Sequence, residues 1–139
     1  GAYGGDGGDS SDSRVGGLVG YARVATISNS YATGSVTGGS WVGGLVGDAD
    51  SSIISDSFAT GAVTGEDDVG GLVGYGSSAN ISDSYATGSV IGNTDVGGLI
   101  GYSSVVNFFG TNTWVNYTTD NATACLGSGT PGGTGTCTP

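Results

Sequence analysis

The stretch VGGLVGYGSSANISDSYATGSVIGNTD, residues 69–95, holds no histidine, cysteine, lysine or arginine, yet it decides the fold because the chain writes it repeatedly. Aligned on VGGL, the copies read VGGLVGYARVATISNSYATGSVTGGSW from Val15, VGGLVGDADSSIISDSFATGAVTGEDD from Val42, and the quoted one from Val69. A fourth opens at Val96 as VGGLIGYSSVVNFFGTNTW. The spacing is 27 residues each time, without insertion or deletion. A fixed period of this size marks a solenoid, in which one repeat is one coil that buries its apolar side only against its neighbours.

Local chemistry selects strands for these coils. Glycine pairs and β-branched residues recur in every copy, no proline occurs before Pro131, and no segment carries the i, i+3, i+4 apolar spacing of an amphipathic helix. The expected fold is all-β, a parallel β-solenoid of about four 27-residue coils. At roughly 4.8 Å per coil the stack is only about 19 Å long. Residues 27 apart then lie on one another, so side-chain columns are legible in the text. The expected inward columns are Val15/Val42/Val69/Val96, Leu18/Leu45/Leu72/Leu99, Ile27/Ile54/Ile81/Phe108 and Val36/Val63/Val90. Tyr31/Phe58/Tyr85 forms a fifth, either inside or at a corner. Gly34, Gly61 and Gly88 are expected to bend the chain between the aromatic and the valine.

Composition limits what such a stack can do. The 139 residues carry a formal charge of −10 with only two basic side chains, Arg14 and Arg23, so phosphate-rich nucleic acid is excluded as a partner. No apolar run reaches the roughly 18–20 residues that span a bilayer, so membrane insertion is not expected. There is no histidine. Cys125 and Cys137 therefore read as a local disulfide in preference to a zinc site or free thiols, which implies an oxidising compartment. The chain begins without Met, as a processed exported protein would.

The half-repeat VGGLVG followed by I-S-x-S-Y-A-T-G-x-V resembles the GLUG repeat of bacterial cell-surface and adhesin-like proteins. The resemblance covers residues 15–107. It implies a β-solenoid in an exported surface protein; the peptidase activity of some GLUG-containing proteins belongs to separate zinc-binding regions and is not carried here.

Outside the repeats, residues 1–14 read as a Gly/Asp-rich arm or a partial coil, and residues 108–139 as a capping segment closed by Cys125–Cys137. Asp6, Asp9 and Asp12 in the arm are faint calcium candidates, as are Asp56 and Asp83, which stack one coil apart. Solvated carboxylates are the simpler reading of both sets, and no cofactor is expected. The sequons at Asn80, Asn116 and Asn121 permit glycosylation of an exported chain. Catalysis is not expected, because the gapless period leaves no loop to build a substrate groove and no Lys or His is present as a base.

The expected function is structural: an extracellular subunit of a self-assembling surface filament, joined to copies of itself by end-to-end stacking or by donation of the N-terminal arm. The alternative is a surface adhesion module that binds carbohydrate or a host protein through the column Tyr21, Tyr75 and Tyr102, which Asp48 interrupts.

Overall fold

The structure, a computed structural model, describes residues 14–115 and 124–139. Every described regular element is a strand, and every strand pair is parallel. Register follows the repeat: Val15 pairs with Val42, Val42 with Val69, and Val69 with Val96. The chain is thus the expected solenoid of about four coils, with a short strand on each of several sides.

Four sheets run along the stack. The first takes Val15–Gly16, Ser40–Gly43, Asp67–Gly70 and Thr94–Gly97; the fourth takes Val36–Thr37, Val63–Thr64 and Val90–Ile91. The second sheet is the widest, built on Val19–Arg23, Val46–Asp50, Val73–Ser82, Ile100–Phe109 and Leu126–Gly133. The third runs from Tyr31–Ala32 through Phe58–Ala59, Tyr85–Ala86 and Thr111–Trp114 to Thr136–Thr138. Coil 4 is therefore longer than its sequence suggests. One extra residue shifts the pairing to Tyr85 with Thr113, beside Gly110 at φ 65°, so the segment from residue 108 starts inside coil 4. Leu126–Gly133 and Thr136–Thr138 then add a partial fifth coil, and Cys125 is disulfide-bonded to Cys137 with Cα atoms 6.1 Å apart.

The leucine, isoleucine and valine columns point inward. Leu45, Leu72, Leu99, Ile54, Ile81 and Val63 are fully buried, while Leu18 at the first coil is only partly covered. A further inward column, Val46, Val73 and Ile100, lies next to the leucines in sequence. Adjacent residues both face the core there because the chain turns between them. The aromatic column is outside: Tyr31 is 60% exposed, and the buried residues of that strand are Ala32, Ala59 and Ala86. Alternation in a two-residue strand puts one neighbour in and the other out, so the small alanine leaves the core thin.

Glycine and corner roles also separate. A Cβ on Gly61 or Gly88 would strike the carbonyl of the glycine one coil earlier, Gly34 or Gly61; these glycines permit close stacking, and none has positive φ. The left-handed corners belong instead to three non-glycine columns: Val24/Ser51/Ser78, Asn29/Asp56/Asp83 and Trp41/Asp68/Asp95, with φ between 47° and 54°. Asn and Asp tolerate that region better than other residues, which accounts for the middle column without a ligand.

A hydroxyl column completes the frame. Ser57 Oγ accepts from the Ser30 amide at 3.2 Å and donates to the Ser55 carbonyl at 2.8 Å. Ser84 Oγ serves the Ser57 amide the same way, and Asn112 Oδ1 takes the Ser84 amide at 3.0 Å. The corner thus keeps its buried polar groups paired.

Candidate binding face

Three of the columns in which the copies disagree lie beside one another on one face of the stack. Positions 14, 41, 68 and 95 carry Arg, Trp, Asp and Asp; positions 21, 48, 75 and 102 carry Tyr, Asp, Tyr and Tyr; positions 23, 50, 77 and 104 carry Arg, Asp, Ser and Ser. The repeated residues build the core, so these columns are free to carry chemistry.

They touch one another. The Arg14 guanidinium carbon lies 4.6 Å from the ring centres of both Tyr21 and Trp41, a cation–π arrangement on two rings. Its Nε donates to Asp48 Oδ2 at 2.8 Å. The Trp41 ring meets Tyr75 at 5.3 Å, and Tyr75 stacks on Tyr102 at 5.4 Å. Tyr21 donates its hydroxyl to Asp50 Oδ2 at 3.4 Å, and Arg23 reaches the same oxygen at 3.9 Å. Trp41 holds φ 54°. An aromatic residue in that region is strained, so its contacts with Arg14 and Tyr75 offset a local cost of about 1–2 kcal/mol.

Two carboxyls here are perturbed. Burial pushes Asp48 above the usual carboxylate range; Arg14 pulls it back down, and Asp50 adds a smaller upward push. Asp68 is raised to about 6, first by burial and then by the charge and hydrogen bond of Asp95, against a hydrogen bond from the Trp41 side chain that lowers it. Asp48 is 5% exposed, and its Oδ1 meets no hydrogen-bond partner among the described residues.

The sequence-predicted sites are scattered. Asp56 and Asp83 sit on an exposed corner in one column; Asp83 Oδ1 accepts from the Thr111 amide at 3.0 Å and so caps that strand. Asn80 is half-buried, and its Oδ1 accepts from Asn107 Nδ2 at 3.1 Å. Asp6, Asp9, Asp12, Asn116 and Asn121 lie outside the described residues. Among the described residues no three acidic or cysteine side chains gather as a metal site would require. Sequence reasoning found the tyrosine column but missed Arg14 and Trp41. Their signal was available: both fall on the 27-residue register of Asp68 and Asp95.

A second aromatic column, Tyr31–Phe58–Tyr85, stacks at 5.2 and 4.9 Å with nearly parallel rings on a separate strand. At the disulfide end, a cavity of about 320 Å³ lies between Phe108, Leu126 and the cystine. No helix among the described residues is long and apolar enough to cross a membrane.

No curated protein and no solved structure matches the chain. The family model described as the GLUG motif matches residues 11–37 and 66–91, the first and third copies of the repeat. Those matches fall on the 27-residue register that all four copies share, so the chain carries GLUG motifs on a β-solenoid, an arrangement consistent with a structural or adhesin-like repeat protein.

Proposed function

We propose that the protein is an extracellular structural solenoid of cell-surface type, and that its first coil is a joint at which copies assemble into a filament. One observation carries this. All four sheets end at coil 1 on strands that have no further partner among the described residues. In coil 2 the amides of Ile53, Phe58 and Thr60 donate back to Ala25, Ser30 and Ala32; the equivalent amides of Thr26, Tyr31 and Thr33 have no such partner among the described residues. Leu18 and Val19 leave apolar surface beside them. The opposite end is chemically different. Its last long strand carries Pro131, which lacks a donor, and left-handed Gly129 and Gly133, features that blunt an edge. A joint between unlike ends is heterologous and does not close, so it propagates. The disulfide fits an oxidising exterior, and the reading needs neither catalysis nor a cofactor.

Negative-stain electron microscopy of concentrated protein tests it. Fibres are expected for the wild type and none for Leu18→Lys, which places a charge on the open end. Monodisperse wild-type particles at every concentration would remove the filament.

The columns of Arg14, Trp41, Tyr75 and Tyr102 favour a second reading, an adhesive side face. It leaves the ends aside and binds carbohydrate or a host protein across the stack.

A further inference from the structure

We infer that the gap left by Asp48 in the tyrosine column is a binding site for a single neutral pyranose ring of a glycan; this rests on the adhesive reading of the side face. Tyr21, Asp48 and Tyr75 are in register on consecutive coils. Where the next coil supplies a ring, it stacks at 5.4 Å. Without a ring at 48, Tyr21 and Tyr75 are separated by two coil spacings, about 10 Å. Arg14 and Trp41 bridge that interval, Arg14 over the Tyr21 and Trp41 rings and Trp41 against Tyr75, and beside them lies a cavity of about 240 Å³, lined also by Asp50 and Ser77.

The floor of the cavity asks for a donor. Asp48 is 5% exposed, one of its oxygens is held by Arg14 Nε, and Oδ1 meets no donor among the described residues. A buried acceptor left unpaired is rare in a folded protein and points to a ligand that completes it. The walls are mixed: the rings of Tyr21, Trp41 and Tyr75, already stacked on Arg14 and on one another, stand with the polar side chains of Asp50 and Ser77. The fitting group is therefore compact and rich in hydroxyl donors, with apolar carbons to lie beside the rings, which describes a sugar ring. The volume is below the roughly 300–1,000 Å³ of drug-sized sites, so one ring enters and the rest of the glycan lies outside.

Charge narrows the class. Asp48 and Asp50 are balanced by Arg14 and Arg23 within the face, while the whole chain at −10 repels acidic glycans. A cationic ligand would compete with Arg14 for the same rings and the same carboxylate. A neutral sugar keeps that pair and adds the missing donor.

Trp41 lines the cavity, so its fluorescence reports occupancy. The full chain would be titrated with tetrasaccharides of glucose, galactose, mannose and N-acetylglucosamine, and with a heparin tetrasaccharide as the acidic arm. At least one neutral sugar is expected to give a saturable change and the heparin fragment none. Asp48→Tyr rebuilds the column with the residue of the other coils and is expected to abolish the response; Asp48→Asn, of the same shape, is expected to weaken it about tenfold. Circular dichroism melts of both variants establish that they fold. Tyr31→Ala, on the other aromatic column, is expected to bind like the wild type. No saturable response to any neutral sugar, a preference for heparin, or unchanged binding by a folded Asp48→Tyr overturns the site. Neutral-sugar binding that survives Asp48→Tyr but is lost in Tyr31→Ala would keep the adhesive reading and move it to the other column.

Discussion

Ser57→Ala tests whether the hydroxyl column holds the corner together. Ser57 is 1% exposed, and its Oγ accepts from the Ser30 amide at 3.2 Å while donating to the Ser55 carbonyl at 2.8 Å. Removing the hydroxyl leaves the Ser30 amide without its partner, whereas the Ser55 carbonyl still accepts from the Asn29 amide at 3.1 Å. An unpaired buried group costs about 1–3 kcal/mol, and the Ser30 amide is only partly covered, so the expected loss is about 1–2 kcal/mol. The Ser57 amide keeps its bond to Ser84 Oγ, so the damage is confined to that one donor. For a chain of this size the loss corresponds to about 3–6 °C in Tm. Urea unfolding followed by circular dichroism reads it, with Ser35→Ala, at an exposed position, as the control. An unchanged slope with a lowered midpoint is the expected result. If Ser57→Ala lies within about 0.5 kcal/mol of the wild type, as exposed substitutions do, the column is ornament and the frame rests on packing alone.

Position along the stack predicts the rest. Leu72→Ala, fully buried between two coils, should cost about 3–4 kcal/mol, and Leu18→Ala at the partly covered end about 1–2, both read by urea unfolding. Val24 is 76% exposed at φ 49°, where a β-branched residue is strained; Val24→Asn should raise stability by about 1 kcal/mol. Asp68 is raised from 3.8 to about 6, so between those values the folded chain binds more protons than the unfolded one, and stability falls as pH rises through the window. After discounting for solvent around a half-exposed group, the loss is about 1 kcal/mol, and Asp68→Asn should remove it from melts at pH 4.5 and 7.5. Reducing Cys125–Cys137 should lower stability by about 3 kcal/mol on loop-closure entropy.

The stack was legible because a gapless period fixes register. Once Val42 lies on Val15, the leucine, isoleucine and valine columns follow from counting, and each proved to point inward. Counting failed where direction depends on backbone angles. Tyr31, Phe58 and Tyr85 formed a column as expected, yet they lie outside because alanine takes the inward place on a two-residue strand. The corners were missed for a related reason: glycine suggested them, but Asn29, Asp56 and Asp83 make them, and glycine instead serves the close approach of coils. The side face was missed at Arg14 and Trp41 because reading the repeats for what they share hides the columns in which they differ.

Those differing columns obey a constraint that stacking itself imposes. Residues on successive coils are about 4.8 Å apart, so a column of carboxylates places like charges at a distance where partial burial makes their repulsion substantial. On the exposed corner, Asp56 and Asp83 stand in one column where water screens them. The half-buried columns of the side face cannot use that route. Asp68 and Asp95 share a column, and Asp68 is raised to about 6, first by burial and then by Asp95. Asp48 is more deeply buried and has no carboxylate directly above or below, since Tyr21 and Tyr75 occupy those places; Arg14 reaches across to supply its countercharge. The first arrangement makes stability depend on pH up to about 6. The second sets Arg14 against the burial that raises Asp48, so the carboxylate that interrupts the tyrosine column between Tyr21 and Tyr75 stands beside an arginine.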